Sequence, residues 1–244
     1  MKLCAVQHRP VAGDVASNIA KHLALLRFAV RHGAQVVCFP ELSLTGYEPR
    51  LAKVLAMDAA DVRLDVFQAR SERDGVHLGV GLPLAAVGGV QIGMVWFAPG
   101  APRLVYAKQR LHADELPYFV AGRQQVLLRA EGRRCAPAIC YESLQADHAA
   151  AVAALGAEVY LASVAKPARG VARARAHYPV VAQAHGMGVL MANCVGPSDD
   201  FVSAGQSAAW NARGVLLAQL DAESEGVVVL DLAQDVANAH RFDG

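Results

Sequence analysis

The sequence has few charged residues and no long hydrophobic run. Charged residues make up 18% of the 244 residues, and 23 Lys and Arg nearly balance 22 Asp and Glu, for a net charge of +1. Because nucleic-acid binding rests on a basic excess, we expect no nucleic-acid partner. Apolar runs such as Val227–Leu230 are far shorter than the ~20 residues that span a bilayer, so we expect no membrane partner either.

Paired cysteines and a leader segment are also missing. The five cysteines are odd in number and form no C-x-x-C pair, so nothing indicates a disulfide framework or a zinc ribbon. Residues Met1–Val6 lack the basic, apolar and small-residue regions of a signal peptide, and we therefore expect a cytoplasmic protein. Hydrophobic residues, in contrast, reach 54%, which is ample for a large core.

Short apolar stretches recur along the chain. Many are continuously apolar, which is typical of strands that are covered on both faces. The predicted strands are Leu3–Gln7, Val36–Pro40, His77–Leu82, Ile92–Phe97, Arg103–Ala107, Val126–Leu128, Ala136–Cys140, Val159–Val164, Val189–Cys194, Ala208–Trp210, Val215–Leu220 and Val227–Leu232.

Helical patterns lie between some of these strands. The clearest covers Asp14–His32, where Ile19 and Leu23 belong to one apolar stripe and Gly33 follows the last turn. Two Ala-rich segments, Leu144–Leu155 and Ala172–His185, are also predicted as helices.

A short repeat links the two halves of the chain. Gly33-Ala34 and Gly156-Ala157 each follow a predicted helix and open a predicted strand. Two such strand–helix–strand units, one in each half, indicate a pseudo-symmetric α/β domain. Chance repetition of Gly-Ala in an Ala-rich chain is the alternative. Because no stretch resembles a linker, we expect one domain over residues 1–244.

Unusual polar residues follow three of the predicted strands. Glu41 and Lys108 each come directly after an apolar run, and Cys140 ends another, just before a helix predicted to start at Ser143. Strand ends of this kind hold the active sites of α/β folds, and a thiol near a helix N-terminus is favoured as thiolate. Singly, these residues could be a turn carboxylate, a solvated strand end and a core thiol. Together they indicate a base, a cation and a nucleophile. The other four cysteines are interpreted as core residues: Cys4, Cys38, Cys135 and Cys194.

These segments resemble the motifs of the nitrilase superfamily of carbon–nitrogen hydrolases. The matching residues are Phe39–Tyr47, then Tyr106–Lys108 with Leu111, Glu115, Phe119 and Gly122, then Ile139–Glu142. Ala5–Gln7, Gly205–Ser207 and Trp210–Gly214 fit as well, so the resemblance covers nearly the whole chain. One departure is Glu142, where the family often has Asp.

The resemblance implies an α/β fold, a four-layer α-β-β-α sandwich with two mostly six-stranded sheets and two similar halves. It implies that Cys140 is the nucleophile, Glu41 the proton acceptor and Lys108 the oxyanion ligand, while Glu115 holds the site together. It further implies cleavage of a small amide through a thioester, with no metal or organic cofactor, in a homodimer or larger homo-oligomer. N-carbamoyl amino acids and nitriles stay open as substrates. A non-catalytic binding protein on the same fold is the less favoured alternative.

The substrate pocket is predicted from residues beside these motifs. They are four aromatic residues and two strand-end residues: Tyr47, Tyr118, Phe119, Tyr141, Ser163 and Val164. The end of the chain soon after Val227–Leu232 favours an amidase over a nitrilase.

Two further residue sets have competing interpretations. Three arginines could bind a substrate carboxylate, although a solvated helix face is the favoured interpretation: Arg169, Arg173 and Arg175. A Cys–His enzyme that uses His112 is a competing arrangement, but the chain lacks a papain-type signature. His177 and His185 are predicted to be structural.

Overall fold

The computed structural model describes residues 1–243 and builds the chain from short strands and five α-helices. The strands are β1 (Lys2–Gln7), β2 (Val36–Cys38), β3 (His77–Ala86), β4 (Gly89–Ala98), β5 (Ala101–Ala107), β6 (Leu128–Ala130), β7 (Arg133–Ile139), β8 (Val159–Val164), β9 (Gly188–Asn193), β10 (Val195–Ser198), β11 (Phe201–Ala204), β12 (Ala208–Trp210), β13 (Leu216–Gln219), β14 (Gly226–Asp231) and β15 (Val236–Arg241). The helices are α1 (Val15–Arg31), α2 (Ala52–Leu55), α3 (Asp65–Asp74), α4 (Ala146–Ala154) and α5 (Ala168–His185).

Two large sheets organise the molecule. The first sheet has seven strands in the order β15-β14-β1-β2-β3-β4-β5, and the second has six in the order β13-β12-β9-β8-β7-β6. In the first sheet β1, β2 and β3 run parallel, and in the second sheet β7, β8 and β9 do the same. Antiparallel strands flank each parallel centre. The two halves of the chain share this connectivity, which is the pseudo-symmetry that the sequence predicts.

The Gly-Ala repeat occupies equivalent places in the two halves. Gly33 and Gly156 both have a φ of +83°, a left-handed conformation that favours glycine. Each donates its N–H back to the preceding helix, to Val30 O at 2.9 Å and to Ala153 O at 2.8 Å. The next strand begins three residues later in both cases. The repeat therefore marks two matching helix ends.

Three apolar layers hold the sandwich together, so the predicted four-layer architecture is confirmed. One layer lies between the two sheets and contains Leu3, Trp96 and Leu161. A second packs the first sheet against α1 and α3, and a third packs the second sheet against α4 and α5. Because each sheet is covered on both faces, its central strands can be apolar at every position. This double coverage explains the low share of charged residues.

Helix α1 forms where its sequence predicts. The Asp14 carboxylate caps the first turn by accepting the Ser17 N–H at 3.0 Å, and the helix ends at Arg31. Its buried residues include Leu25, Leu26 and Ala29, which face the first sheet.

Four details differ from the sequence prediction. The first sheet has seven strands, because β15 adds to its edge. Strands β10 and β11 form a separate two-stranded sheet. Residues Glu142–Leu144 form a 3₁₀ turn, so the helix predicted to start at Ser143 begins at Ala146 instead. Helix α5 begins at Ala168, four residues before its predicted start. Within residues 1–243, the structure has no helix of the length and apolarity needed to cross a bilayer.

Candidate active site

Glu41 lies on a tight loop directly after β2. The neighbouring residue Leu42 has a φ of +50°, and the loop presses against β3 at Gly81. A Cβ at Gly81 would lie 2.4 Å from Pro40 O and 2.7 Å from Leu42 N, so only glycine permits this approach. The loop therefore places the Glu41 carboxylate in the interior, where it is 1% exposed.

Lys108 follows β5 and joins two carboxylates. Its Nζ donates to Glu41 Oε1 at 2.8 Å and to Glu115 Oε1 at 2.6 Å, with all three side chains buried. Glu115 also accepts the Tyr47 hydroxyl at 3.1 Å and the His112 N–H at 2.7 Å. Glu115 is therefore held by three donors from two segments, and it fixes the ammonium beside Glu41.

Cys140 lies at a sharp turn after β7. Its φ of +46° is strained for a residue with a side chain, and it turns the chain from the strand into the 3₁₀ segment. Its N–H donates to Ser163 O at 3.0 Å, and its carbonyl accepts the Ser143 hydroxyl at 2.6 Å. Of the five cysteines it alone is not fully buried. The turn thus presents a single accessible thiol.

Lys166 joins this cluster, and sequence reasoning missed it. It follows β8 and is only 4% exposed. Its Nζ lies 3.6 Å from Cys140 Sγ and donates to Cys140 O at 3.2 Å. The signal that could have found it is the one that singled out Glu41 and Lys108, a lone charged residue directly after an apolar strand.

The buried charges change one another's proton affinity. Burial would lower the pKa of Lys108, but the charges of Glu41 and Glu115 outweigh it and raise that pKa, so the amine stays an ammonium. Burial raises the pKa of Glu41, and Glu115 adds to this rise against the opposing Lys108. Desolvation, followed by the charge of Glu41, raises the pKa of Cys140 to about 11. A raised carboxyl pKa brings Glu41 closer to the thiol in basicity, which suits proton exchange between them.

Glu41 keeps one oxygen free for such an exchange. Its Oε1 is taken by Lys108, whereas Oε2 is buried and has no hydrogen-bond partner within residues 1–243. An unpaired buried oxygen is costly, and in active sites it commonly awaits a substrate or proton.

A cavity of about 700 Å³ opens above Cys140. Its wall includes two of the six predicted pocket residues, Tyr47 and Tyr141, together with Glu115 and Lys166. The rest of the wall comes from the loop after β5, the turn after Cys140, the start of α5 and the β10–β11 connection: His112, Asp114, Leu144, Gln145, Ala165, Pro167, Arg169, Gly170, Arg173, His177, Asp200 and Phe201.

The other four predicted pocket residues lie outside the cavity wall. On β8 the side chains alternate, so Ser163 points to the first sheet, where it donates to Phe39 O at 2.8 Å, and Val164 packs toward the helices. Phe119 is buried in the layer between the sheets, and Tyr118 is exposed on the surface. Strand-end position alone therefore did not locate the wall.

Some of the arginines and histidines singled out in the sequence line the cavity, and others do not. Arg169 and Arg173, one helical turn apart on α5, line the cavity, whereas Arg175 does not. His112 and His177 also line it, and His112 pairs with Asp114 at 2.5 Å. His177 was predicted to be a structural residue, and α5 brings its ring to the cavity wall.

The sequence matches a known family over almost its whole length. The family model described as carbon-nitrogen hydrolase matches residues 2–241. The chain belongs to the carbon-nitrogen hydrolase family. The resemblance drawn from the motifs is thereby confirmed.

The relatives of this carbon-nitrogen hydrolase fall into two kinds. A glutamine-dependent NAD(+) synthetase of Rhodobacter capsulatus is 29% identical over 248 residues, which are 97% of this chain and 44% of that protein. The chain thus spans less than half the length of such relatives. An (R)-stereoselective amidase of Pseudomonas sp is 28% identical over 247 residues, which are 100% of this chain and 89% of that protein.

Solved structures of an amidase from Nesterenkonia sp. AN1 share the fold. A mutant in complex with butyramide superposes with a TM-score of 0.87 at 25% identity, over 96% of this chain and 92% of that one. Another mutant carries the acetamide moiety of fluoroacetamide on its active-site cysteine, with a TM-score of 0.86 at 25% identity over 96% and 91% of the two chains.

Proposed function

We propose that this protein is an amidase that cleaves a small amide through a thioester on Cys140. The observation that supports the proposal is a buried cluster of Glu41, Lys108 and Glu115 whose charges act on Cys140, while Cys140 and Glu115 also line the cavity. A thiol, a carboxylate with a free oxygen and a paired ammonium are the groups that acyl transfer needs. The similar amidases with butyramide or an acetamide moiety support an amide as substrate.

The proposed reaction has two halves. Glu41 takes the thiol proton, and Cys140 Sγ attacks the amide carbon while Lys108 and the Tyr141 N–H bind the oxyanion. The C–N bond then breaks, and Glu41 returns the proton to the departing nitrogen. Water, deprotonated by Glu41, attacks the thioester in the second half, and the C–S bond breaks to release the acid.

A substrate panel with mass detection tests this proposal. It contains butyramide, glutamine, N-carbamoyl amino acids and a nitrile, with ammonia or amine release and the acyl adduct on Cys140 as readouts. Glutamine is included because of the similar NAD(+) synthetases. We expect release from at least one amide and a mass increase on the Cys140 peptide. Turnover of the nitrile without any amide would point to a nitrilase instead.

Cys140→Ala provides the decisive variant. Without the sulfur no thioester forms, so we expect kcat to fall by roughly 10³-fold or more. Cys135→Ala is the matched control, since Cys135 lies in β7, the strand that leads to Cys140, but is fully buried in the core. Equal activity of Cys140→Ala and the parent protein would refute the thioester route.

A further inference from the structure

Lys166 is a buried cation without a carboxylate partner. Among residues 1–243, its Nζ has polar contacts only with the sulfur and carbonyl oxygen of Cys140, and no acidic side chain lies within ion-pair distance of it. Removing an ammonium from water is expensive unless an opposite charge compensates it. A negative charge at or beside Cys140 Sγ would therefore stabilise the buried ammonium of Lys166.

The other ionisable groups near the thiol are two carboxylates, a tyrosine, a lysine that is already paired and a histidine. Glu41 and Glu115 face it from the first sheet and the following turn, with Tyr47 behind them. Lys108 faces it too, but its ammonium is shared between the two carboxylates at 2.8 and 2.6 Å. From α5, His177 approaches Lys166, and that ammonium together with burial lowers the pKa of His177. Lys166 is thus the cation nearest the sulfur whose charge is not already balanced.

We propose that Lys166 is a second catalytic cation, which holds the negative charge on Cys140 Sγ. The inference rests on the proposed amidase function. When the S–H bond breaks, the proton goes to Glu41 and the electron pair stays on sulfur beside the Lys166 ammonium. Sulfur then forms the C–S bond, and its charge passes to the carbonyl oxygen. In the second half the C–S bond breaks, and the electron pair returns to sulfur beside Lys166 again. Lys166 itself gains and loses no proton.

The two lysines act on different groups, which explains why one cation is insufficient. Lys108 contacts Glu41 directly, so it favours negative charge on the carboxylate and opposes its transfer to sulfur. Lys166 contacts only the sulfur side and favours the transfer. Among the groups around the thiol, Lys166 is the foremost of those that lower the pKa of Cys140, ahead of Lys108.

A more stable thiolate is also less nucleophilic, but the balance favours Lys166. Each unit by which a thiol pKa falls toward the working pH yields about tenfold more thiolate and costs only about threefold in intrinsic reactivity. The same stabilisation makes sulfur a better leaving group when the thioester is hydrolysed. Both halves of the reaction therefore gain.

Alkylation of Cys140 by iodoacetamide tests the proposal. Rates are measured between about pH 6 and 9 by mass analysis of the Cys140 peptide, in the parent protein, Lys166→Met, Lys166→Gln and Lys166→Arg. We expect both neutral variants to react roughly three- to tenfold more slowly at neutral pH, because a charged hydrogen bond shifts a pKa by about one to two units and part of the lost thiolate is offset by its higher reactivity. Lys166→Arg keeps the charge and should retain most of the rate. The same order is expected for kcat/KM with an amide that the protein hydrolyses.

Two comparisons keep the outcomes distinct. Lys53→Met replaces an exposed lysine of α2. Cys140 of this variant should be alkylated at the rate of the parent protein. Lys166→Gln retains a hydrogen-bond donor for Cys140 O and is therefore expected to preserve the turn. It serves as the neutral variant if Lys166→Met does not fold. Parental alkylation rates in a folded neutral variant would overturn the role of Lys166. If no amide is hydrolysed, the proposed function fails, while the alkylation rates still decide whether Lys166 stabilises the thiolate.

Discussion

At the scale of single residues, Glu142 ties the two catalytic segments together. Its Oε1 accepts the Ile139 N–H at 2.7 Å, and its Oε2 accepts the Gln109 N–H at 2.7 Å. Ile139 precedes Cys140 and Gln109 follows Lys108, so one buried carboxylate fixes both neighbours across the two sheets. The Tyr106 hydroxyl adds a third donor at 2.5 Å. The departure from the family's usual Asp therefore lies at a structural link.

We predict that Glu142→Gln weakens both folding and catalysis. The amide nitrogen would face a backbone N–H and leave a buried donor unsatisfied, which costs about 1–3 kcal/mol of unfolding free energy. Displacement of Lys108 relative to Cys140 should lower kcat more than it raises KM. Urea unfolding and steady-state kinetics measure the two effects. Glu142→Asp keeps all acceptors and should be milder, and a kcat equal to that of the parent protein in Glu142→Gln would contradict the link.

Sequence reasoning predicted some residues of the site well and others poorly, for a physical reason. Glu41, Lys108 and Cys140 were found because each is a reactive residue in a motif at the end of an apolar strand. Lys166 obeys the strand-end rule but belongs to no motif. Phe119, Ser163 and Val164 were misplaced because the direction of a side chain at a strand end depends on packing between the layers. The catalytic roles themselves stay predictions.

At the scale of elements, α5 carries one side of the cavity. Its start brings Arg169, Arg173 and His177 to the wall, and Arg175 points elsewhere. Because Arg169 and Arg173 are four residues apart, their side chains lie on the same helical face. Asp114 and Asp200 lie elsewhere on the wall, and its lysine and arginine residues come from α5 and from Lys166 just before that helix.

We predict that Arg173→Ala raises KM for amides that carry a carboxylate. Loss of one guanidinium at the cavity rim should cost roughly three- to tenfold, with neutral amides unaffected. Arg175→Ala is the matched control, since it removes the same charge from the same helix outside the cavity. The measurement compares KM for glutamine, which carries a carboxylate, with KM for butyramide, which does not. Equal changes for both substrates would favour the solvated-face interpretation instead.

The elements that the sequence failed to predict are helices α2 and α3 and three strands. All twelve predicted strands have counterparts, whereas β10, β11 and β15 were missed. Strand β15 lies at the sheet edge and is largely exposed, so it lacks the apolar run that marks a covered strand. Hydrophobic patterning detects burial, and a strand without burial leaves little signal.

At the scale of the whole molecule, buried neutral histidines couple folding to pH. His22 is fully buried between the Asn18 carbonyl and the Ser43 hydroxyl, and burial holds its pKa well below 6.5. His148 lies between Tyr106 and Tyr160, and burial lowers its pKa to about 4. Between these lowered pKa values and the ordinary value of about 6.5, both rings take up a proton only when the protein unfolds. The stability they confer is therefore full above their unfolded pKa and is lost as the pH falls below it.

We predict that unfolding takes up protons between about pH 6.5 and 4 through His148. Glu41 and Glu142 have raised pKa values and act in the opposite direction, so a variant is needed to isolate the histidine. In urea titrations followed by tryptophan fluorescence, His148→Gln should lose less unfolding free energy than the parent protein on acidification. His185→Gln, at a helix end, serves as the control and should follow the parent. Identical pH slopes for all three proteins would contradict the coupling.

The layered architecture, though not every element, could be predicted because the apolar patterning agreed with what the motif resemblance implies. Continuously apolar strands predicted covered sheets, and the repeated Gly-Ala unit predicted matching halves. Assembly into a homo-oligomer and the cytoplasmic location stay predictions.

The division of the site between two sheets also dictates when activity arises during synthesis. A growing polypeptide contains every proposed catalytic side chain once Lys166 has been made. Yet β1, at the centre of the sheet that bears Glu41 and Lys108, pairs along six residues with β14, which is made some sixty residues later. We therefore expect the distance between Glu41 and Cys140 to become fixed only after that strand has emerged from the ribosome. The nascent chain is expected to be inactive until β14 has been made.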